Sequence, residues 1–384
     1  MDTILLILAL ITLLGWATLG LVVVQGRRHL QWLKDVPIRQ DTDFPLLSVV
    51  IPARDEERHL ETALRSILAQ DYPAIEFIVV NDRSTDGTQA ILEKLSHEDS
   101  RLRIFSVSSV PEEWLGKNHA LHIGAKAARG AFLLFTDADV VMDPQTMRKA
   151  VQYVLDHQLD HLTIAPEGTM RGILLRMLAA TFGFILFVFF RPWKMRNPRS
   201  RAYIGIGAFN LVRTAAYRAL NGHQPIALRP DDDLKLAKLF KKHHYRQDFL
   251  IGQGMIFVEW YATVREMIQG LQKNTFAGVE YRVSLVIAGT LSSMVFHIWP
   301  FLGIVVTTGY TQLAYLLAVV LIVSVFTFAM THHGITPWNA LLFPLAMALM
   351  VYIQWKATLT TLWFRGITWR GTFYPLAALK ANKV

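Results

Sequence analysis

The chain has 384 residues, of which 52% are hydrophobic and 18% charged, and its mean hydropathy is +0.30. That balance excludes both an ordinary soluble globule and a purely membranous protein, and the apolar residues gather toward the two ends of the chain. Cysteine is absent, which excludes disulfides, a thiolate nucleophile and thiolate-bound metal, while the formal charge of +9 suits a surface resting on anionic lipid headgroups.

Residues 3 to 24 carry no charge and are long enough to span about 30 Å of hydrocarbon, so residues 1–26 are expected to form a transmembrane helix. A cleaved signal peptide fits less well, because no basic stretch precedes the run and no small-residue cleavage site follows it. Arg27, Arg28 and Lys34 come directly after, which by the positive-inside bias puts the next domain in the cytoplasm.

From about residue 45 to 260 strands and helices alternate, the mark of an α/β domain. Strands are predicted over 47–53, 75–81, 103–107, 132–135 and 162–166, with helices over 56–70, 86–95, 116–129 and 144–157. Polar clusters follow the strand ends: Pro52-Ala-Arg-Asp-Glu-Glu57, Asn81-Asp-Arg-Ser-Thr-Asp-Gly87, Gly116-Lys-Asn-His119 and Thr136-Asp-Ala-Asp139. Each alone has a plain explanation, such as a helix cap at Asp86 or favourable helix-dipole placement of Glu56 and Glu57. Their succession along one sheet edge does not. Asp137 and Asp139 point to the same side of an extended chain, and two converging carboxylates repel unless a cation or donor-rich ligand sits between them. A hard divalent metal carrying a diphosphate meets that need, at the strand edge where α/β sheets bind ligands.

Residues 172–190 are apolar but short, with a basic flank at Arg191, Lys194, Arg196, Arg199 and Arg201, and are expected to lie as an interfacial helix. Arg229-Pro-Asp-Asp-Asp-Leu234 reads either as an acidic helix start or as a second acidic centre. A further interfacial helix is expected within 261–280. Residues 283–364 form a C-terminal membrane region, read as three spans over 283–307, 313–330 and 338–364 with Pro300 or Pro344 as a possible break, and 365–384 form a tail. Four spans counted from an outside N-terminus leave the C-terminus outside, whereas Arg365, Arg370, Lys380 and Lys383 favour the cytoplasm. His119, His122, His243 and His244 match no zinc-ligand spacing, and no aromatic–basic signature of nucleic-acid binding is present.

Together these motifs resemble the family 2 glycosyltransferases of GT-A fold, over residues 46 to about 240, and within them the membrane-anchored enzymes that glycosylate lipids, such as ceramide glucosyltransferases and hopanoid- or carotenoid-associated transferases. The resemblance implies an α/β nucleotide-diphospho-sugar transferase domain over residues 45–260, facing the cytoplasm of a multi-pass cell-membrane protein. It implies that Pro52, Ala53 and Glu56 line the base-binding end, that Asp82 bonds the uracil or ribose, and that Lys117 lies near the diphosphate. Asp137 would contact ribose or metal, and Asp139 would coordinate Mn²⁺ or Mg²⁺. By likeness to an acidic pair followed by an apolar residue, Asp233 would be the general base and Asp232 the next choice, with Asn221-Gly-His223 as the acceptor segment. The expected reaction is inverting transfer of one sugar from a nucleoside-diphosphate sugar, UDP-linked by preference, to a lipid hydroxyl. Polyprenyl-phosphate glycosylation and processive polysaccharide synthesis are the alternatives. The Arg-Trp pair of the processive enzymes is missing from Gln269–Gly278, which argues against polymerisation and leaves Lys273 and Asn274 without a role. Trp369-Arg-Gly371 resembles an element of the lipid-modifying members.

Overall fold

Runs such as Ile75–Asp82, buried at every position, can only be strands covered on both faces. The computed structural model describes residues 2–39 and 42–384, and falls into two units. One comprises Leu30–Thr169, Pro192–Glu259 and Ala378–Val384; the other comprises Met1–His29, Met170–Arg191 and Trp260–Ala377.

The first unit contains β1 (Gln31–Trp32), β2 (Leu47–Ala53), β3 (Ile75–Asp82), β4 (Leu102–Val107), β5 (Phe132–Phe135), β6 (Val141–Met142), β7 (His161–Ala165), β8 (Glu167–Gly168), β9 (Asn210–Arg213), β10 (Gln247–Ile251) and β11 (Ile256–Val258). Eight of these make one sheet in the order β1-β10-β7-β9-β5-β2-β3-β4, and β6-β11-β8 make a small second sheet. Only β9 runs against its neighbours in the large sheet, antiparallel to both β5 and β7. The covering helices are α1 (Leu60–Leu68), α2 (Thr88–Glu98), α3 (Gly116–Ala127), α4 (Thr146–Asp156), α5 (Thr214–Ala219) and α6 (Asp232–Lys242).

Strand alternation sorts the core into two layers. Val49, Ile51, Phe77, Val79 and Leu134 pack with Leu64 of α1, Leu92 of α2 and Val151 of α4. Val50, Ile78, Val80, Leu133 and Phe135 pack with Leu121 of α3, Tyr217 of α5 and Phe240 of α6. Each such large side chain contributes about 1.5–3 kcal/mol by leaving water.

The first helix begins at Leu60, four residues later than its apolar spacing predicts, because the chain before it is committed elsewhere. The Glu56 N–H donates to Thr88 Oγ1 at 2.9 Å, and Glu57 Oε2 accepts from the Gly87 N–H at 2.7 Å. These bonds zip the loops after β2 and β3 together. Within the residues expected as a C-terminal tail, Gly366–Trp369 and Thr372–Pro375 form a hairpin, and Leu376–Ala381 is helical. Within the first unit, Asn382 Nδ2 donates to the Pro225 carbonyl at 2.9 Å and Lys238 Nζ to the Val384 carbonyl at 2.7 Å.

In the second unit, Asp2–Arg28, Ile173–Lys194, Val283–Val306 and Gly309–Ala329 are long and apolar enough to cross a membrane by length and composition. The segment expected to lie in the interface is thus among the four, and Phe343–Trp363, expected as a span, is not. Pro300 does not break its helix. It removes the N–H that would bond the Phe296 carbonyl, the turn widens to a π-helix over Met294–Ile298, and Trp16 Nε1 donates to that carbonyl at 2.9 Å. Pro344 sits in the first turn of Phe343–Trp363, where a missing N–H costs nothing. Lys273 lies over the ring of Trp369 at 4.2 Å from its centroid, so the lysine that the sequence left without a role meets the Trp-Arg-Gly element of the hairpin.

Candidate active site

The C-terminal ends of β2, β3 and β5 carry the residues singled out by sequence. Asp82 ends β3, its carboxylate held by Arg83 Nε at 2.7 Å and Arg54 Nη1 at 3.6 Å. Gly116 opens α3 directly against it: a Cβ there would stand 2.2 Å from Asp82 Oδ2, so only glycine lets the helix start so close to the strand end. That start places Lys117 one residue later, with Nζ 2.7 Å from Asp137 Oδ1.

A second set of contacts brings α6 to the same place. Asn118, wholly buried, donates through Nδ2 to the carbonyls of Ile226, Ala227 and Arg229 at 2.9, 3.1 and 2.9 Å, fixing the segment before α6. Arg229, 1% exposed, turns its guanidinium onto Asp231 in a two-point contact of 2.9 and 3.1 Å, and Lys235 Nζ lies 3.4 Å from the same carboxylate. Asp231 is therefore structural, and the two carboxylates after it face the site. Asp233 Oδ2 accepts the Gly207 N–H at 2.9 Å. A Cβ on Gly205 would stand 1.9 Å from the Asp233 carbonyl oxygen, and one on Gly207 2.7 Å from Asp137 Oδ2. Glycine at both positions lets the irregular segment leading into β9 pass between the two acidic groups.

One pocket is lined by Lys117, Asp137, Asp232 and Asp233 together with Leu121, Phe135, Thr136, Gly207, Asn210 and His223. Its four charged members are all residues singled out from the sequence, Asp232 and Asp233 through the family resemblance. The family resemblance put His223 in the acceptor segment and Asn210 at the end of a glycine-containing run facing sugar and acceptor, without giving either side chain a role of its own. Pro52, Ala53 and Asp82 sit at the strand ends and do not line this pocket. Glu56 lies near enough to Asp139 to act on its ionisation. His119 and His122 pack at a tilt against Trp114, with ring centroids 5.7 and 4.7 Å from its own.

The electrostatics divide the acids. Burial, then the negative charges of Asp137 and Glu56, push the Asp139 carboxyl up to about 7. Burial, then Asp232, push Asp233 up to about 7 as well. Burial works against the charge on Lys117, but the carboxylates of Asp137, Asp232 and Asp233 outweigh it and hold the ammonium above the ordinary lysine range. A cleft of this kind suits a ligand that brings both a cation and anionic oxygens.

The sequence model of glycosyl transferase family 2 matches residues 48–220. Those residues form a glycosyl transferase family 2 domain. This glycosyltransferase is 25% identical over 272 residues to the 4,4'-diaponeurosporenoate glycosyltransferase of Staphylococcus haemolyticus, a match covering 68% of this chain and 70% of that one. It is 27% identical over 222 residues to the poly(ribitol-phosphate) beta-N-acetylglucosaminyltransferase TarS of Staphylococcus aureus, covering 57% of this chain but 36% of the relative. The mannosyltransferase PcManGT of Pyrobaculum calidifontis, solved with GDP-Man and Mn²⁺, superposes with a TM-score of 0.55 at 18% identity, over 94% of this chain and 99% of its own. At that identity the likeness shows the fold, GT-A, and nothing finer.

No group of three or more His, Cys, Asp or Glu side chains stands ready to hold a metal among the described residues. That is compatible with a nucleotide-bound cation, which takes one or two carboxylates and completes its shell with phosphate oxygens and water. The Asp139 carboxyl, raised by burial and by two neighbouring negative charges, fits such an ion: a divalent cation would relieve the repulsion.

Proposed function

We propose that this glycosyltransferase moves a single sugar from a nucleoside diphosphate, preferably UDP, to a hydroxyl of a membrane lipid, with inversion at the anomeric carbon. The observation that carries this reading is the convergence of the Asp137–Lys117 pair and the Asp232–Asp233 pair on one pocket. The first pair suits the diphosphate end of a donor and the second an incoming hydroxyl. Asp139 would hold Mn²⁺ or Mg²⁺, which when bound supplies positive charge to the departing diphosphate. Pro52, Ala53, Glu56 and Asp82 occupy the strand ends where the nucleoside would lie, and Lys117 anchors the phosphates.

Asp233 acts as general base. It takes the proton of the acceptor hydroxyl, the freed oxygen bonds the anomeric carbon, and the bond to the diphosphate breaks with its electron pair leaving on the phosphate oxygen. A carboxyl near pH 7 is matched to that task, and the Gly207 N–H fixes its direction. The lipid acceptor is supported by the four apolar helices and by a relative named for 4,4'-diaponeurosporenoate. The basic residues after the first apolar helix support a cytoplasmic catalytic unit.

Membranes containing the protein are incubated with a panel of labelled UDP- and GDP-sugars and Mn²⁺, and lipid extracts are read by mass spectrometry. A lipid carrying one added sugar is expected. Polymer without a monoglycosylated lipid, label on polyprenyl phosphate, or no transfer from any donor would each overturn the reading.

A further inference from the structure

Resting on the glycosyl-transfer reading, we propose that His223 is a specificity-determining residue that presents a fixed Nε2–H donor to a hydroxyl of the transferred sugar.

The ring is buried to 1% exposure yet lines the same pocket as Lys117, Asp137 and Asp233. It is clamped from behind. Tyr217 Oη lies 2.6 Å from Nδ1, Phe135 meets the ring edge-on at 4.9 Å between centroids, and a Cβ on Gly222 would stand 2.7 Å from the Tyr217 ring. Gly222 has φ +58°, so this approach needs glycine on both counts, conformation and space.

The direction of the Tyr217–His223 bond follows from chemistry. A phenol buried like Tyr217 stays protonated, burial pushing its ionisation up, and it carries a single proton to donate. Nδ1 is the acceptor within reach, and leaving that proton unpaired would cost about 1–3 kcal/mol. With Nδ1 accepting, the neutral ring carries its hydrogen on Nε2, and burial, followed by the charges of His122 and Lys117, keeps it neutral by lowering its pKa to about 3. Nε2 makes no hydrogen bond to the protein among the described residues, so the ring's one remaining donor is offered to whatever enters the pocket.

The sugar is what enters there. Asp137 and Lys117 mark the phosphate side and Asp233 the acceptor side, and the sugar is the part of the substrates that must bridge them. A rigid neutral donor reads the position of a hydroxyl without attracting the charged phosphates, whereas an imidazolium would do both. A pocket built to bond a hydroxyl rejects the analogue that lacks it far more strongly than an apolar pocket rejects an added group.

The test pairs enzyme variants with monodeoxy donors. Initial rates with the preferred nucleotide sugar and its deoxy analogues are measured for native protein, His223→Phe, His223→Gln and Tyr217→Phe in membranes, with nucleoside-diphosphate binding as the check on folding. For native protein, loss of one particular hydroxyl is expected to lower kcat/KM by roughly 30- to 1,000-fold, and other deletions by much less. In His223→Phe that same deletion should cost less than about threefold, while nucleotide binding persists. His223→Gln, which keeps an N–H donor, should restore part of the discrimination, and Tyr217→Phe should weaken it. If His223→Phe lowers the rate with every donor by one common factor, or if it cannot bind nucleotide while Tyr217→Phe discriminates like native protein, the inference is overturned and the glycosyl-transfer reading stands. No transfer by native protein from any donor would overturn both.

Discussion

Replacing Asp233 by Asn keeps the size and the Gly207 contact of the side chain but removes the group that accepts the proton. General-base work of this kind is worth about 10²–10⁴ in rate, or roughly 3–5 kcal/mol at 1.36 kcal/mol per decade. The native pH profile supplies the second half of the test. With the Asp233 carboxyl at about 7, only about a tenth is ionised at pH 6, so activity should fall close to tenfold per pH unit below 7 and level off above it. Asp233→Asn should be slow and lack that limb. Asp232→Asn should behave oppositely: it removes a negative charge that raises the Asp233 carboxyl, so the acid limb moves to lower pH and activity at pH 6 rises relative to that at pH 8. The assay is initial-rate transfer of labelled sugar into extracted lipid, from pH 5.5 to 8.5, at saturating donor. Asp233→Asn keeping more than a tenth of native activity, with Asp232→Asn dead, would refute the assignment and give the base to Asp232.

Arg229→Met should destabilise the sheet unit by about 3–5 kcal/mol, since Asp231 is left buried with only Lys235 beside it; a double variant that also replaces Asp231 by Leu should recover much of that in detergent melting curves. Gly205→Ala, whose Cβ would stand 1.9 Å from the backbone oxygen of Asp233, should abolish transfer. Gly207→Ala meets side-chain ends of Asp137 and Lys117 and should mainly weaken donor affinity in isothermal titration. Acid should loosen the fold: buried His161 titrates at about 4 when folded and near 6.5 when unfolded, so the unfolded chain binds the extra proton. Its stability contribution is whole above pH 6.5 and is lost as pH falls from 6.5 toward 4, on the order of 3 kcal/mol; His161→Asn should flatten that slope in denaturant titrations.

Local pattern was enough wherever burial on two faces imposes one. β2, β3 and β5 are short apolar runs because helices cover them on both sides, and their ends locate Glu56, Asp82, Asp137 and Asp139 without tertiary information. β9 escaped because Asn210 begins it and its pairing is antiparallel between two parallel blocks, a tertiary choice that Asn-Leu-Val-Arg does not announce. Pro300 read as a break because the acceptor it leaves unpaired is satisfied by Trp16, 280 residues from Phe296 along the chain.

The acidic run shows the same limit inside the site. Asp231, Asp232 and Asp233 are equivalent as letters, and likeness to an acidic pair could only suggest which two matter. The fold separates them by charge compensation. A buried arginine is costly unless it is paired, so Arg229 and Asp231 neutralise each other within two residues, and the bond also fixes the first turn of α6. With that charge cancelled, Lys117 is the cation whose field reaches Asp233, and it is already shared with Asp137. The Asp233 carboxyl is thus raised first by its burial and then by Asp232, with a shared Lys117 too weak to offset them, a property of three chain segments meeting that no spacing within one of them encodes.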